Sequence, residues 1–104
     1  MTLFFLGVSN LAYGLTIHLP PETAQNRKGL NSELANAQCL SCHSADYVLT
    51  QPPDLSRNYW NAIVLKMKSK FGAPISEAQV APLVDYLVKT YGAENVRAKA
   101  QLSK

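Results

Sequence analysis

The apolar positions of this chain recur mainly at helical spacing. From Leu30 onward they fall three or four residues apart, and Asn31 or Ser32 can act as the N-cap of the turn that follows. This pattern predicts a first helix over about 31–42.

A loop and a second helix are predicted next. The Pro-Pro pair at 52–53 is incompatible with a regular element, so residues 45–58 are expected to be irregular. Ser56 can cap the helix that follows, which should stop near Phe71, ahead of Pro74.

The third predicted helix has the clearest start signal, because Ser76 and Gln79 form a capping-box pair. An apolar stripe follows and ends at Gly92. Pro82 lies inside that stripe and should kink the helix or delay its start, since it lacks a backbone donor. The polar tail after Gly92 is expected to fray.

The segment before the first helix is expected to be an extended arm. A second Pro-Pro pair, at 20–21, cannot lie inside a helix, so the arm is assigned to residues 15–30. No segment shows a convincing strand pattern. The 104 residues therefore predict one all-α domain, which spans 15–104.

Residues 1–14 carry no charge and combine a short apolar run with small residues at Ala12 and Gly14. They resemble the end of an export signal, so we expect a signal peptide, or its C-terminal part, cleaved after Gly14, although the Lys or Arg that should open it is missing. The run is far shorter than the roughly 20 apolar residues that span a bilayer, so no stable membrane insertion is expected.

The net charge of +3 is mildly basic, and its surplus is concentrated at Lys66, Lys68 and Lys70. These lysines lack the interleaved aromatic residues or groove-reading motif of a nucleic-acid site, so no nucleic-acid partner is expected. They are interpreted either as a solvated helix face or as charges that steer an acidic protein.

The strongest chemical signal is Cys39-Leu40-Ser41-Cys42-His43, the CxxCH pattern of covalent haem attachment. Two thiols at this spacing near a helix end can bond to the two vinyl groups of one porphyrin. The adjacent imidazole is then placed as an axial ligand of the iron. The pattern predicts one haem c, with Cys39 and Cys42 as thioethers and His43 as an iron ligand.

Three other interpretations share these residues. A thioredoxin-like CxxC site would need a βαβ context, which the chain lacks. A structural zinc site would need a fourth ligand, for which His18 is the candidate. A plain disulfide would close too small a loop to constrain the unfolded chain much.

Met67 and His18 are the candidates for the sixth iron ligand. Apart from Met1 in the predicted signal, Met67 is the only methionine, and a thioether ligand suits a carrier with a raised potential. Met67 could instead be an ordinary core residue. We favour Met67 as the ligand and interpret His18 as a surface or packing residue. Trp60, Tyr59 and Phe71 are expected either to pack against the porphyrin or to belong to the general core.

Several segments carry a resemblance to a known family: TIHLPPETA (16–24), CLSCHSADYV (39–48), TQPPD (50–54), the Trp60–Met67 helix, FGAPIS (71–76) and DYLVKTYG (85–92). Together they resemble the monohaem cytochrome subunits and electron-acceptor partners of bacterial sulfite dehydrogenases. The resemblance covers most of the chain after residue 15.

The resemblance implies a cytochrome c-like fold, in which a small helical domain wraps around one covalently attached haem. Cys39, Cys42, His43 and Met67 match the family's haem positions. It also implies a periplasmic location and a partner, a molybdenum sulfite dehydrogenase that hands over single electrons for transfer to a downstream cytochrome c or oxidase.

The expected function is therefore electron transfer rather than catalysis, because both axial positions of the iron would be filled. Two alternatives stay open. The first is a general periplasmic cytochrome c shuttle that serves other dehydrogenases. The second, from a different class, is a haem-based sensor in which a small ligand displaces Met67.

Overall fold

The protein, seen in a computed structural model that describes residues 14–21 and 23–104, is all-helical in that part of the chain. Its helices are α1 (Ser32–Cys39), α2 (Asp46–Leu49), α3 (Arg57–Phe71), α4 (Glu77–Thr90) and α5 (Ala93–Leu102). No strand occurs among the described residues. The predicted all-α class is confirmed. The signal predicted over residues 1–14 lies, apart from Gly14, outside this part of the chain.

The second predicted helix is confirmed as α3. The Ser56 hydroxyl accepts a hydrogen bond from the backbone N–H of Tyr59 at 3.2 Å, which satisfies one of the free donors of the first turn. The helix ends at Phe71. Gly72 follows in the left-handed region, with φ of 70°, a conformation that glycine adopts at little cost.

The third predicted helix is confirmed as α4, but the expected effect of Pro82 on its start is wrong. The helix begins at Glu77, and the Gln79 side chain accepts from the backbone N–H of Ser76 at 2.9 Å. It then runs without interruption through Pro82. The proline removes one intrahelical hydrogen bond, and the burial of the surrounding apolar stripe against the core outweighs that loss.

The first helix is shorter than predicted and the loop after it is partly helical. α1 covers Ser32–Cys39 rather than 31–42, and Asn31 is its N-cap, in the left-handed region with φ of 70°. Within the predicted irregular segment 45–58, residues Asp46–Leu49 form the single turn α2. Both differences concern short local turns, which periodicity defines poorly.

The tail after Gly92 forms α5, so the prediction that it would fray is wrong. Gly92 is the N-cap of this helix, and α5 contacts α4. Arg57 at the start of α3 forms a salt bridge to Glu94 at 2.8 Å, which links α5 to a second helix. None of the residues of α5 is buried, so tertiary contacts rather than an apolar stripe place this helix.

The core is formed where α3 and α4 pack together and where α1 contacts α4. Trp60 from α3, with Leu83, Tyr86 and Val88 from α4, are the largest side chains that are almost completely buried. The buried positions of α4 occupy several sides of the helix because it has neighbours on several sides, and this makes α4 the central element of the molecule.

The arm has no helix or strand in its described residues up to Lys28, but its last residues are held against the helices. The N–H of Asn26 donates to Asn36 Oδ1 at 3.0 Å, and the N–H of Arg27 donates to the Tyr91 hydroxyl at 2.7 Å. The Tyr86 hydroxyl donates to the Arg27 carbonyl at 2.6 Å. These bonds fix the end of the arm across α1 and α4.

None of the helices in the described part of the chain has the length and apolar character needed to cross a membrane.

Candidate haem-binding cleft

The CxxCH residues begin at the last residue of α1. Cys39 ends the helix, and the residues that follow it turn towards His43. Cys39 is half-buried and Cys42 is exposed, and the two thiols are not linked to each other. A helix end and the turn that follows it therefore carry both thiols and the imidazole.

His43 is oriented by a hydrogen bond to the backbone. Its Nδ1 lies 3.1 Å from the carbonyl oxygen of Ser44. Because a carbonyl oxygen can only accept, this bond requires the proton on Nδ1, which leaves Nε2 with a lone pair for a metal. The ring also lies 4.5 Å from the ring of Tyr47, centroid to centroid. Histidines that bind a metal usually donate their other ring N–H in this way, so the orientation of His43 is compatible with a ligand.

Met67 lines the same cleft from α3. The cleft is partly open to solvent, and Cys39, Cys42, His43 and Met67 all contribute to its wall. The structure thus brings together the four residues that the sequence singled out, although Met67 lies 24 positions beyond His43 in the chain.

The remaining wall is largely apolar. The aliphatic and aromatic residues that line it include Val48, Trp60, Ile63, Val64, Phe71, Ile75, Leu83 and Leu87. An apolar slot with a few sulfur and nitrogen atoms in its wall suits a flat hydrophobic ring system that carries a metal.

The expected aromatic contacts are only partly present. Trp60 and Phe71 line the cleft, but Tyr59 does not, and half of its surface is exposed. Tyr59 and Trp60 are adjacent on α3 and therefore point about 100° apart around the helix. The prediction that Tyr59 packs against a porphyrin is therefore wrong for this cleft.

Two contributors to the cleft were missed by sequence reasoning. Asn26 is buried at its edge, and Tyr47 contacts His43 from α2. Asn26 belongs to the arm, where nothing in the sequence indicates contact with a distant helix. Tyr47 lies in the HSADY segment, but the family resemblance of that segment does not indicate that the Tyr47 ring contacts His43.

The electrostatics of Cys39 disfavour a thiol-disulfide enzyme. Burial, and then the neighbouring Cys42, raise the pKa of the Cys39 thiol. Cys39 also ends a helix, where the negative pole of the dipole opposes a thiolate. Reactive CxxC cysteines have a lowered pKa, commonly through a helix N-terminus or nearby cations. The site has the opposite arrangement.

The zinc interpretation also lacks support. In the described part of the chain, no three or more His, Cys, Asp or Glu side chains are grouped so that they could hold a metal ion. His18, the fourth ligand that this interpretation needs, is exposed in the arm and does not line the cleft. Because His18 is exposed and does not line the cleft, it is not placed to serve as the sixth iron ligand, the role for which it competes with Met67.

The three lysines of α3 differ in their surroundings. Lys68 pairs with Glu77, whereas the Lys66 ammonium lies 5.9 Å from the centre of the Phe71 ring, which lines the cleft. Lys70 is exposed. Of the three lysines, Lys66 therefore lies next to the cleft, whereas Lys68 is paired with an acidic side chain.

Comparison with models of known protein families and with curated protein sequences found no match to this chain.

Proposed function

We propose that this protein is a monohaem c-type cytochrome that carries single electrons. One observation supports the proposal most: the CxxCH residues and the lone internal methionine, far apart in sequence, line one apolar cleft. A thiol enzyme or a zinc site would not require Met67 or an apolar slot beside the two cysteines.

The residues of the cleft fit a covalently attached haem. Cys39 and Cys42 supply the thiols for two thioether bonds, and His43 offers the free Nε2 described above. Met67, which lines the same cleft, would supply a thioether sulfur as a second protein ligand of the iron. The bound group would supply a ferric/ferrous couple, and the apolar wall would exclude water from it and so favour the less charged, reduced state.

The expected partner is a periplasmic molybdenum sulfite dehydrogenase. Support for this comes from the family resemblance carried by several segments, including HSADY and the TQPP loop. In this proposal the protein accepts electrons from that enzyme in the periplasm and passes them to a downstream cytochrome c or oxidase. Lys66, beside the cleft, would favour an acidic partner surface and make association sensitive to salt.

The first experiment is a visible absorption spectrum of the protein exported by a host that matures c-type cytochromes. We expect sharp α and β bands after reduction and a weak far-red sulfur-to-iron band in the oxidised protein. Met67→Ala should abolish the far-red band, because the sulfur ligand is lost. Ile63→Ala is the matched control, since it shortens another side chain of the cleft on the same helix and removes no ligand atom.

A colourless exported protein would refute the cytochrome proposal. A far-red band that survives Met67→Ala would refute the role of Met67 alone. A spectrum that shifts under carbon monoxide at neutral pH would instead favour a sensor with a displaceable sixth ligand.

The partner is tested separately, by mixing the ferric protein with the molybdenum sulfite dehydrogenase of the same organism and sulfite. Reduction that is rapid at low salt and slows as salt rises is expected. If the protein has the predicted spectrum but is not reduced, the cytochrome proposal stands. The protein would then be interpreted as a general shuttle rather than as the partner of this enzyme.

A further inference from the structure

The arm carries an apolar surface that no other described residue covers. Leu15, Ile17 and Leu19 expose 87%, 67% and 81% of their surface. Thr16 and His18 alternate with them. In an extended chain, successive side chains point to opposite faces, so the three apolar residues share one face and the two polar residues the other.

The backbone of this segment is also without partners. Residues 14–21 form neither helix nor strand and make no hydrogen bond within the described part of the chain. Within residues 14–21 and 23–104, no partner occupies their main-chain N–H and C=O groups, which can therefore pair with an external strand. Pairing would end at Pro20 and Pro21, which have no N–H to donate. The segment that remains, 15–19, has the usual length of a short strand.

The other end of the arm is anchored. The N–H groups of Asn26 and Arg27 are bonded to Asn36 Oδ1 and the Tyr91 hydroxyl, at 3.0 and 2.7 Å. The free segment therefore projects from a fixed point at the junction of α1 and α4. It is tethered close to the domain, which raises its effective concentration at any surface on which the domain docks.

We propose that residues 15–19 add a β-strand to the open sheet edge of a partner protein, with Leu15, Ile17 and Leu19 seated in apolar pockets beside that edge. In this mode of recognition, main-chain hydrogen bonds give affinity and alternate side chains give specificity. The alternation of this segment matches that requirement, and its exposed apolar face is left without a function by electron transfer alone.

The occupant is a different protein that contains a sheet. The described residues of this chain have no strand, so the chain offers no sheet edge of its own in that part. Two copies joined through this segment would form an isolated two-stranded ribbon, which is marginally stable in water. The strand proposal itself does not require the proposed function. It rests on that function only where the sulfite-oxidising enzyme is named as a partner to test.

Photo-crosslinking in the source organism tests the docking without assuming the partner. The full chain carries Ile17→p-benzoylphenylalanine, and the same change at His18 is the matched control on the opposite face. We expect a cross-link from position 17 that maps to an edge strand of its partner and is lost or strongly reduced from position 18. Equal cross-linking from both positions, none from either, or a cross-link outside a sheet edge would overturn the inference.

Kinetics then measure the contribution of the apolar face. Ile17→Asp should raise the apparent KM of the cross-linked partner enzyme for this protein about tenfold or more, because an apolar pocket would have to accept a charge. Thr16→Asp places the same charge on the other face and should change it less than about twofold. Both variants should keep the wild-type haem spectrum. Equal KM values for the two variants would contradict the strand model.

The outcomes separate the two proposals. A cross-link to an edge strand of some other protein, with no reduction by sulfite dehydrogenase, would support the strand and reject the sulfite partner. Reduction by sulfite dehydrogenase that is unaffected by Ile17→Asp, together with no cross-link specific to position 17, would reject the strand and leave the proposed function intact.

Discussion

At the scale of single residues, Gly92 has the tightest packing constraint among the glycines in the described part of the chain. A Cβ added there would lie inside contact distance of Trp60 Nε1 and 2.8 Å from the carbonyl oxygen of Leu55. Trp60 is almost completely buried and lines the cleft. The indole therefore has little room to move, and a side chain at position 92 would displace it or the Leu55 backbone.

We therefore expect Gly92→Ala to lower the free energy of unfolding by about 1–3 kcal/mol, the usual cost of overpacking a filled site. Urea unfolding of the two proteins would measure it. Gly29→Ala is the control, because its new Cβ would lie 3.7 Å from its nearest neighbours, an ordinary contact. A loss for Gly92→Ala no larger than that for Gly29→Ala would contradict the packing argument.

Asp85 links α4 to the start of α3 by charge. Its carboxylate lies 3.0 Å from Arg57 and 2.9 Å from Lys89. Hydrogen bonds from Lys89 and then Arg57 lower the pKa of Asp85 below its usual value. A carboxyl group with a lowered folded-state pKa stabilises the fold above its unfolded pKa, near 3.9, and loses that contribution as the pH falls through the lower, folded-state value.

Asp85→Asn should consequently be less stable than wild type at pH 7, by no more than about 1 kcal/mol because the pair is near the surface. The difference should shrink towards zero as the pH falls below about 4. Thermal unfolding measured from pH 7 to pH 2.5 would show it. Asp54→Asn serves as the control, since Asp54 forms no ion pair with the described residues. A difference that stays constant across this range would contradict the assignment.

At the scale of elements, α4 and its C-cap residue hold the arm through two tyrosines, Tyr86 and Tyr91. Burial raises the pKa of Tyr86, so its hydroxyl stays protonated and donates to the Arg27 carbonyl. The Tyr91 hydroxyl accepts from the Arg27 N–H, and the Arg27 guanidinium lies 5.1 Å from the centre of the Tyr91 ring. The two tyrosines thus satisfy both main-chain groups of one arm residue.

The two bonds can be separated by amide hydrogen exchange. Tyr91→Phe removes the acceptor of the Arg27 N–H, so exchange at that amide should accelerate by about fivefold, as expected for the loss of a bond of about 1 kcal/mol. Tyr86→Phe removes only the donor to the carbonyl and should leave the Arg27 amide protected. Equal acceleration in the two variants would indicate that the whole arm detaches rather than that one bond is lost.

At the scale of the whole molecule, the apolar walls of the cleft join the core on both sides. Val64, Leu83 and Leu87 belong at once to the cleft lining and to the main core cluster. A group bound in the cleft would therefore be continuous with the core, and its binding would contribute directly to folding.

Under the proposed function, we expect the protein produced without haem attachment to unfold at a clearly lower temperature and to lose most of its near-ultraviolet circular dichroism while keeping helical signal. Two preparations should agree: wild type made in a cytoplasm without maturation enzymes, and exported Cys39→Ser/Cys42→Ser. The wild-type preparation has no changed side chain. If both preparations lose stability to the same extent, the loss is therefore due to the missing haem and not to the substitutions. A haem-free protein as stable as the holoprotein would contradict the continuity of cleft and core.

Much of the architecture is contained in local sequence signals. Ser56 and Ser76 mark the starts of α3 and α4, and Gly72 marks the end of α3, because capping depends on side chains within a few residues. The CxxCH pattern similarly predicts covalent haem attachment from the spacing of three residues. The helical class and the four candidate haem residues follow from such patterns without knowledge of the fold.

The tertiary structure decided those features that depend on contacts between residues distant in the chain. It shows that α4 continues through Pro82 and that α5 forms from a polar tail, because packing and ion pairs outweigh local preference. It brings Met67 and the CxxCH residues to one cleft and adds Asn26 to its edge. Sequence periodicity reports which face of an element is apolar. The contact that covers that face depends on how the elements pack, and only the folded chain specifies it.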